Sequence, residues 1–248
     1  MPEQLMRLLA EDIALAEGRA PLTDAVGSGE ILGLAGLDGH GQEAFLKILA
    51  GLESPAAGAV AIERAGARRP IAGFREAVSE GIAYLPRDRR SAGIFPSLSI
   101  LDNFAIATLG RDASGGLISA RRRLKRYEAF RESLSIVAPR PEAPITALSG
   151  GNQQKVLLAR VLALEPSILL LNDPTRGVDV ATRRTLYDVF RSLAHRGMGI
   201  VILSSEIEEI LVLCDRVLVF REHELSTRLA GADMSAGAVI AAMFGRAA

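Results

Sequence analysis

Tryptophan is absent from this chain, and its 248 residues include one cysteine and three histidines. A single cysteine, Cys214, excludes an intramolecular disulfide framework and any zinc site built from several cysteines. The histidines, at positions 40, 195 and 223, lack the spacing of a ligand set, so we predict no metal-binding residues. Aromatic residues are only 4 % of the chain, so leucine, isoleucine, valine and alanine must build the core.

Neither sign of charge is in excess, because 29 lysines and arginines balance 29 aspartates and glutamates. Nucleic-acid-binding domains are usually strongly basic, and we therefore predict no nucleic-acid partner. No apolar run reaches the roughly 18 to 20 residues of a membrane-spanning helix, and the acidic start does not resemble a secretory signal peptide. We expect a folded cytoplasmic protein, in which any membrane crossing is left to other chains.

Short apolar runs alternate with segments of helical periodicity, a pattern typical of a doubly wound α/β fold. Continuous apolar runs of strand length predict a parallel sheet that is covered on both faces. Apolar residues at helical spacing predict the helices between the strands. The predicted strands are 30–34, 167–171, 199–203 and 216–220, and the predicted helices are 43–50 and 182–195.

Residues 88–146 differ from the rest, because glycine and proline punctuate short helical stretches. A stripe of apolar residues predicts a helix over 120–137. We expect a mostly helical subdomain here. The predicted division is therefore a core of 1–87 and 147–225, the subdomain 88–146, and a C-terminal tail 226–248 with a short helix at 234–244.

The segment Leu148–Gln154 (LSGGNQQ), called the signature segment below, precedes a helical pattern. Ser149 can cap this helix, while Gly150 and Gly151 allow a ligand to approach the backbone closely. The free N–H groups at a helix start bind anions. Taken alone, the segment fits an ordinary capped turn equally well.

Two further segments favour a ligand-binding role for the signature segment over an ordinary capped turn. Residues 36–43 (GLDGHGQE) follow a predicted strand and open a predicted helix, which is the context that a phosphate-binding loop requires. Residues 173–180 (DPTRGVDV) follow a second buried strand. With LSGGNQQKVLLAR and GIAYLPRDRR, these segments resemble the nucleotide-binding subunits of ABC transporters. Over residues 28–222 they are similar to the second, C-terminal nucleotide-binding half of bacterial ribose- and galactose-type importers.

This resemblance implies a P-loop NTPase core of the ABC ATPase type. Its parallel sheet is flanked by helices and accompanied by a small antiparallel β region and the helical subdomain. The implied partners are a second nucleotide-binding domain with intact Walker motifs, two membrane permease subunits and, indirectly, a substrate-binding protein. The implied location is the cytoplasmic face of the cell membrane. Whether the chain is a separate subunit or half of a fused protein stays open.

In the family, backbone N–H groups of the glycine loop cradle phosphates, a lysine pairs with the β- and γ-phosphates, and a serine or threonine ligates Mg²⁺. Here Gln42 replaces the lysine, and losing a charge-assisted hydrogen bond costs roughly 1.5–3 kcal/mol. Glu43 replaces the hydroxyl, and a carboxylate about 4 Å from a phosphate oxygen adds roughly 4 kcal/mol of repulsion. The resemblance assigns nucleotide contacts in this loop to Gly36, Gly39, His40, Gly41, Gln42 and Glu43.

The positions that serve hydrolysis are also altered. The family's Mg²⁺-arranging aspartate and water-polarising glutamate correspond to Asn172 and Asp173. Ser205 stands at the switch-histidine position and Arg87 at the Q-loop position. Asp173 and Ser205 thus occupy the catalytic positions in degenerate form, and no aromatic residue precedes Phe45 to stack on adenine. We expect impaired or absent hydrolysis at this site, and we hypothesise that Glu43 and Arg87 pair in place of the metal; the alternative is two separately solvated charges.

ABC domains pair head to tail, and each ATP site takes its signature from the opposite domain. The resemblance therefore assigns Ser149, Gly150, Gly151, Asn152 and the D-loop residue Asp179 to the partner's ATP, whose site also holds Mg²⁺. This chain is expected to be the non-catalytic half of a heterodimeric ATPase.

Two other functions remain open at this point. The chain could bind and hydrolyse ATP as an ordinary transport ATPase, or act as a soluble ABC-like regulatory or nucleic-acid protein. A sugar as the transported solute follows from the resemblance alone, and Phe95, Pro96 and Leu98 are the candidate contacts with a permease.

Overall fold

The computed structural model describes residues 6–114 and 117–245. It divides into two compact units. The first contains Met1–Tyr84, Ser167–Asp173 and Phe190–Ala248, and the second contains Leu85–Pro166 and Pro174–Val189. The predicted subdomain 88–146 lies wholly in the second unit, which also extends beyond it.

The strands in the described residues are β1 (Met6–Ala14), β2 (Leu22–Gly27), β3 (Ile31–Gly36), β4 (Ala57–Arg64), β5 (Ala67–Ile71), β6 (Ile82–Leu85), β7 (Ala113–Ser114), β8 (Leu117–Ile118), β9 (Ile168–Asn172), β10 (Gly199–Leu203), β11 (Arg216–Arg221) and β12 (Glu224–Ala230). The α-helices there are α1 (Gln42–Leu49), α2 (Phe74–Ser79), α3 (Ile100–Ala105), α4 (Leu109–Asp112), α5 (Ala120–Ser133), α6 (Gly150–Leu162), α7 (Val180–His195), α8 (Ile207–Leu213) and α9 (Ala236–Phe244). None of them is long and apolar enough to cross a membrane.

The first unit contains a six-stranded sheet in the order β12-β11-β3-β10-β9-β6. Strands β11, β3, β10 and β9 pair in parallel, while β12 runs antiparallel to β11. Every residue of β9 and β10 is buried, as their uninterrupted apolar sequences predict. The predicted parallel sheet is confirmed.

A second sheet of the first unit is antiparallel, with the strand order β2-β1-β4-β5. One apolar cluster joins it to the parallel sheet, and it includes Leu8, Ile62 and Leu170. In the same cluster the rings of Phe45 and Phe220 lie 5.3 Å apart and connect α1 to β11. The small antiparallel β region predicted from the resemblance is confirmed.

Helix α8 packs closely against β3. A Cβ placed on Gly33 would lie 2.8 Å from Cγ2 of Ile210 and 3.0 Å from Sγ of Cys214. Cys214 is buried, and burial raises the pKa of its thiol. The cysteine is therefore a small core residue.

The second unit is mostly helical, with one short hairpin formed by β7 and β8. In its core, Phe104 of α3 packs against the rings of Tyr127 and Phe130 of α5, at centroid distances of 5.7 and 5.5 Å. The Arg126 guanidinium forms a 2.8 Å ion pair with the fully buried carboxylate of Asp112. This pairing offsets the cost of removing the carboxylate from water.

The predicted helix 120–137 is too long. Helix α5 ends at Ser133, Ser135 adopts a positive φ of 50°, and Val137 is 74 % exposed rather than part of the apolar stripe. Pro139 and Pro141 follow, and proline lacks the N–H of a continuing helix and disfavours helical backbone at the residue before it.

We expect Leu170→Ala to lower the free energy of unfolding by about 2–5 kcal/mol, because it opens a cavity in a fully packed strand. The Leu170 side chain is completely buried in β9, whereas Leu52 of the same unit is 44 % exposed. The matched variant Leu52→Ala should change this free energy by about 0.5 kcal/mol or less. Urea unfolding of both variants tests the assignment, and equal effects would contradict it.

Candidate functional site

The glycine loop, residues 36–41, connects β3 to α1 in the first unit. Gly39 and Gly41 have φ angles of 79° and 106°, in the left-handed region that side chains other than glycine rarely adopt. The His40 N–H donates to the Leu37 carbonyl at 3.0 Å, and the His40 carbonyl accepts from the N–H of His223 at the same distance. The sequence thus builds an ordered strand–loop–helix turn.

Gln42, the first residue of α1, folds back onto this loop. Its Nε2 donates to the carbonyl oxygens of Gly36 and Leu37, at 3.1 and 2.8 Å, and the residue is only 7 % exposed. The side chain at the family's lysine position is therefore neutral and bonded to its own loop.

Glu43 and Asn172 are hydrogen-bonded to each other. Asn172 lies at the end of β9, and its Nδ2 donates to Oε1 of Glu43 at 3.2 Å and to the hydroxyl of Tyr84 at 3.1 Å. The Lys47 ammonium lies 3.4 Å from the same carboxylate oxygen and 3.2 Å from Glu53. Carboxylate, amide, phenol and ammonium thus form one polar cluster, called the Glu43 cluster below.

Two pKa shifts describe the electrostatics of the Glu43 cluster. Burial acts to lower the pKa of Lys47, but the hydrogen bond to Glu53 and the charges of Glu43 and Glu53 outweigh it and raise the pKa. Burial raises the pKa of Tyr84. Lys47 is therefore a cation and Tyr84 a neutral phenol near pH 7. Within the Glu43 cluster, the Lys47 ammonium supplies the positive charge next to Glu43.

The two residues predicted at catalytic positions, Asp173 and Ser205, are adjacent in the first unit. Asp173 is buried and adopts a positive φ of 46° directly after β9. Its Oδ1 accepts a 2.6 Å hydrogen bond from the backbone N–H of Ser205, and its own N–H donates to Leu203. The carboxylate is thereby bonded to the loop that follows β10.

The signature segment lies in the second unit and begins α6. The Ser149 hydroxyl accepts a 3.4 Å hydrogen bond from the Asn152 backbone N–H and a 3.1 Å bond from its side-chain Nδ2. Asn152 Oδ1 in turn accepts from the N–H of Val137. The predicted helix cap is confirmed, and Asn152 connects it to the loop after α5.

Asp179 lies close to the start of α6 within the same unit. Its two carboxylate oxygens accept from the backbone N–H and the hydroxyl of Thr182, at 2.9 and 2.7 Å, and these hydrogen bonds lower the pKa of Asp179. A Cβ on Gly151 would lie 2.8 Å from Oγ1 of Thr182. A side chain at position 151 would therefore separate the signature segment from the residues around Asp179 and Thr182.

Arg89 is a functional candidate that the sequence analysis missed. Its guanidinium donates to the carbonyl oxygens of Arg176 and Gly177 at 3.0 and 3.5 Å. A Cβ on Gly150 would lie 2.6 Å from Nη2 of Arg89, so the guanidinium lies directly on the signature glycine. The signal available in the sequence was the density of arginine in 87–90 (RDRR).

Asp88 fixes the turn that carries these arginines. Its carboxylate accepts from the backbone N–H groups of Arg90 and Ser91, at 2.8 and 3.3 Å, and caps the π-helical turn Arg89–Gly93. The hydrogen bond from the Ser91 side chain, followed by these backbone bonds, lowers the pKa of Asp88. A cavity of about 340 Å³ beside the turn is lined by Arg87, Asp88, Arg89, Arg90, Arg176 and Gly177.

The predicted site residues thus fall into two groups, one in each unit. Glu43 belongs to the first unit and Arg87 to the second, and their ion pair stays a prediction. Within residues 6–114 and 117–245, no group of three or more histidine, cysteine, aspartate or glutamate side chains is arranged to hold a metal ion. The first-unit group contains Gly36, Gly39, His40, Gly41, Gln42, Glu43, Asn172, Asp173 and Ser205, and the second-unit group contains Arg87, Ser149, Gly150, Gly151, Asn152 and Asp179.

Comparison with known proteins gives similar sequences over most of the chain. The chain is 40 % identical over 226 residues to the ribose import ATP-binding protein RbsA 1 of Burkholderia ambifaria, covering 90 % of this chain and 43 % of that protein. It is also 40 % identical over 220 residues to RbsA 2 of Rhizobium etli, covering 88 % and 43 %. The chain therefore spans less than half the length of these relatives.

Solved structures share the fold at low sequence identity. A dimeric, post-hydrolysis ATP-binding cassette bound to ADP and Pi superimposes with a TM-score of 0.75 at 19 % identity, over 90 % of this chain and 98 % of that one. A nucleotide-free ATP-binding cassette from an ABC transporter gives a TM-score of 0.77 at 16 % identity, over 92 % and 93 %. The predicted ABC ATPase fold is confirmed.

The family model for ABC transporters matches residues 21–176, which include the glycine loop, the signature segment and the strand end at Asn172. Together with the 40 % identity to curated relatives over nine-tenths of its length, this match shows that the chain belongs to the ABC transporter family.

Proposed function

We propose that this chain is the non-catalytic nucleotide-binding domain of an ABC importer for ribose or a similar sugar. In this proposal its own nucleotide site is degenerate, and its signature segment completes the ATP site of a second, catalytic domain. The observation that carries the proposal is the hydrogen bond between Asn172 and Glu43, because both residues stand where the family holds Mg²⁺.

The residues at the metal positions do not fit magnesium. Mg²⁺ binds through several oxygen ligands in nearly octahedral geometry. Glu43 is bonded instead to the amide of Asn172 and to the Lys47 ammonium. An amide cannot supply the charge of the family's aspartate, and the ammonium already compensates that of Glu43. The charge of Glu43 is therefore balanced inside the cluster, and the one buried oxygen of Asn172 that lacks a hydrogen-bond partner, Oδ1, is uncharged.

Gln42 adds a second obstacle to MgATP. Its amide donates to the carbonyls of Gly36 and Leu37. Nucleotide binding would have to proceed without the family's cation at this position, at a cost of roughly 1.5–3 kcal/mol. The loop glycines and their backbone geometry remain, so the obstacle comes from side chains alone. An active ATPase, the alternative function, is favoured only by this intact backbone.

Asp173 is poorly placed to polarise water. Its side chain is one methylene shorter than glutamate, and its Oδ1 is bonded to the Ser205 backbone. A displacement on the order of 1 Å can cost roughly a hundredfold in rate. Ser205, at the switch-histidine position, carries a hydroxyl group in place of the imidazole. These features favour a site without hydrolysis.

The signature segment, in contrast, keeps what the partner's nucleotide needs. Ser149 caps the 13-residue helix α6, whose N-terminal N–H groups and dipole favour a phosphate. Gly151 allows the D-loop segment with Asp179 to approach closely. In this proposal the chain keeps the donor groups that serve the partner's nucleotide, while its own site is degenerate. This contrast supports a division of labour between two domains that pair head to tail.

The sugar in this proposal comes from relatives whose names state ribose import and ATP binding, and its remaining parts follow from the resemblance of the sequence motifs to importer subunits. The corresponding position is the second nucleotide-binding half, and the partners are two permease subunits and, through them, a substrate-binding protein. The location is the cytoplasmic face of the membrane, with Mg²⁺ and ATP in the partner's site. Phe95, 44 % exposed in the second unit, is the candidate permease contact, together with Pro96 and Leu98.

We expect the double variant Gln42→Lys/Glu43→Ser to bind MgATP about ten- to a hundredfold more tightly than the parent chain. It restores a charge-assisted hydrogen bond and removes a carboxylate that faces phosphate. Isothermal titration calorimetry measures both affinities. Equally tight binding by the parent would contradict the degenerate site.

The matched control is Glu208→Lys on an exposed position of α8 in the same unit. It changes the net charge by the same amount as the double variant but leaves the glycine loop intact. Its MgATP affinity should equal that of the parent. A gain in the control would attribute the effect to overall charge.

We expect Ser149→Asp to reduce the ATPase rate of the assembled complex by at least about tenfold. Aspartate preserves the helix cap, but it places a negative charge opposite the partner's γ-phosphate. Thermal unfolding should therefore stay near that of the parent while activity falls. Ser133→Asp, at an exposed position of α5, adds the same charge and should leave the rate unchanged; an undiminished rate in Ser149→Asp would refute the role of the signature segment.

A further inference from the structure

The 340 Å³ cavity beside the turn Arg89–Gly93 is strongly basic. Its lining contains four arginines and one aspartate, and it is called the arginine cavity below. A water molecule occupies roughly 30 Å³ in the liquid, so the volume accommodates a hydrated anion of phosphate size. Guanidinium groups that line one space repel each other, and an anion between them reduces this repulsion.

The aspartate in the lining, Asp88, supplies one negative charge to four arginines, and the charge of Arg176 is among the causes that lower the pKa of Asp88. Its carboxylate accepts hydrogen bonds from the N–H groups of Arg90 and Ser91 and is occupied as the cap of its own turn. In the part of the chain that the structure describes, the guanidinium groups of Arg90 and Arg176 make no hydrogen bond or salt bridge. The two exposed arginines therefore retain all their donor groups for a ligand.

The arginine cavity lies next to the signature segment. Arg89 belongs to both, because its guanidinium lines the cavity, lies against Gly150 and donates to the carbonyls of Arg176 and Gly177. The close approach to Gly150 places this wall of the cavity against the start of α6. An anion in the cavity would therefore lie near the helix N-terminus that Ser149 caps.

We infer that the arginine cavity is a binding site for a phosphate group. Arginine forks pair with two phosphate oxygens at once and remain charged at all physiological pH values. The phosphate has two possible sources: free inorganic phosphate, or the terminal phosphate of a nucleotide held by the partner domain. The second source rests on the proposed function, whereas the site itself does not.

The test uses the full chain and inorganic phosphate as the probe, in calorimetric titrations at low salt. The parent should show saturable binding that weakens as salt is added. Arg90→Gln/Arg176→Gln should weaken phosphate binding by about tenfold or more, because each substitution removes charged hydrogen bonds. Both substitutions are at exposed positions, so the urea-unfolding midpoint should stay that of the parent.

Arg121→Gln/Arg140→Gln is the matched control. Both arginines are exposed in the second unit, so this variant removes the same charge outside the arginine cavity. Its phosphate affinity should stay within about twofold of the parent, since exposed charges at a distance are largely screened. Absence of saturable binding in the parent, or an equal loss in the control, would overturn the inference.

The assembled complex distinguishes the two sources. If the partner's nucleotide supplies the phosphate, Arg90→Gln/Arg176→Gln raises the KM for ATP about tenfold. If free phosphate is the ligand, the KM is unchanged and inhibition by added phosphate is lost. Either result supports the site, and an unchanged KM with unchanged phosphate inhibition contradicts it. Failure of the Ser149→Asp prediction would instead remove the proposed function and leave phosphate binding by the chain alone intact.

Discussion

The parallel register of β3, β10 and β9 is the constraint on which the site depends. Leu203 pairs with Leu34 on one side and with Asn172 on the other, so the three strands end together at one edge of the sheet. Side chains that are 129 positions apart in the sequence, such as Asn172 and Glu43, thereby come within hydrogen-bonding distance. The strand–loop–helix backbone of the glycine loop is formed, and in the proposed function side-chain chemistry decides its use.

That chemistry differs between the two units. At the sheet edge, the Asn172 amide donates to the Glu43 carboxylate and the Gln42 amide donates to its own loop. The Asp173 carboxylate accepts a hydrogen bond from backbone. At the start of α6, the serine cap and both glycines are retained, and Arg89 adds a guanidinium on Gly150. The proposed asymmetry follows, because the side chains at the sheet edge hinder nucleotide use by this chain, whereas the groups retained at the start of α6 are those that would serve a partner.

The sequence predicts best the features that depend on local pattern. The apolar run 199–203 is β10 to the residue, since a short uninterrupted apolar run is typical of a parallel strand covered on both faces. The helix 120–137 is overextended because its apolar stripe continues past the backbone change at Ser135. The sequence shows the arginine-rich stretch that contains Arg89 but not its contacts, because its partners lie 87 and 88 positions away. The hydrogen bond between Glu43 and Asn172 likewise depends on the order of the strands in the sheet. The spacing of residues in the sequence does not reveal that order.

Counting trapped nucleotides in the assembled transporter tests the central claim most directly. With Mg²⁺, ATP and vanadate, a catalytic site retains ADP after one turnover, and a photoreactive ATP analogue identifies the glycine loop that holds it. The division of labour predicts one trapped ADP per pair of nucleotide-binding domains, attached only to the partner's loop. Two trapped ADP molecules per pair, or labelling of residues 36–43 in this chain, would contradict it.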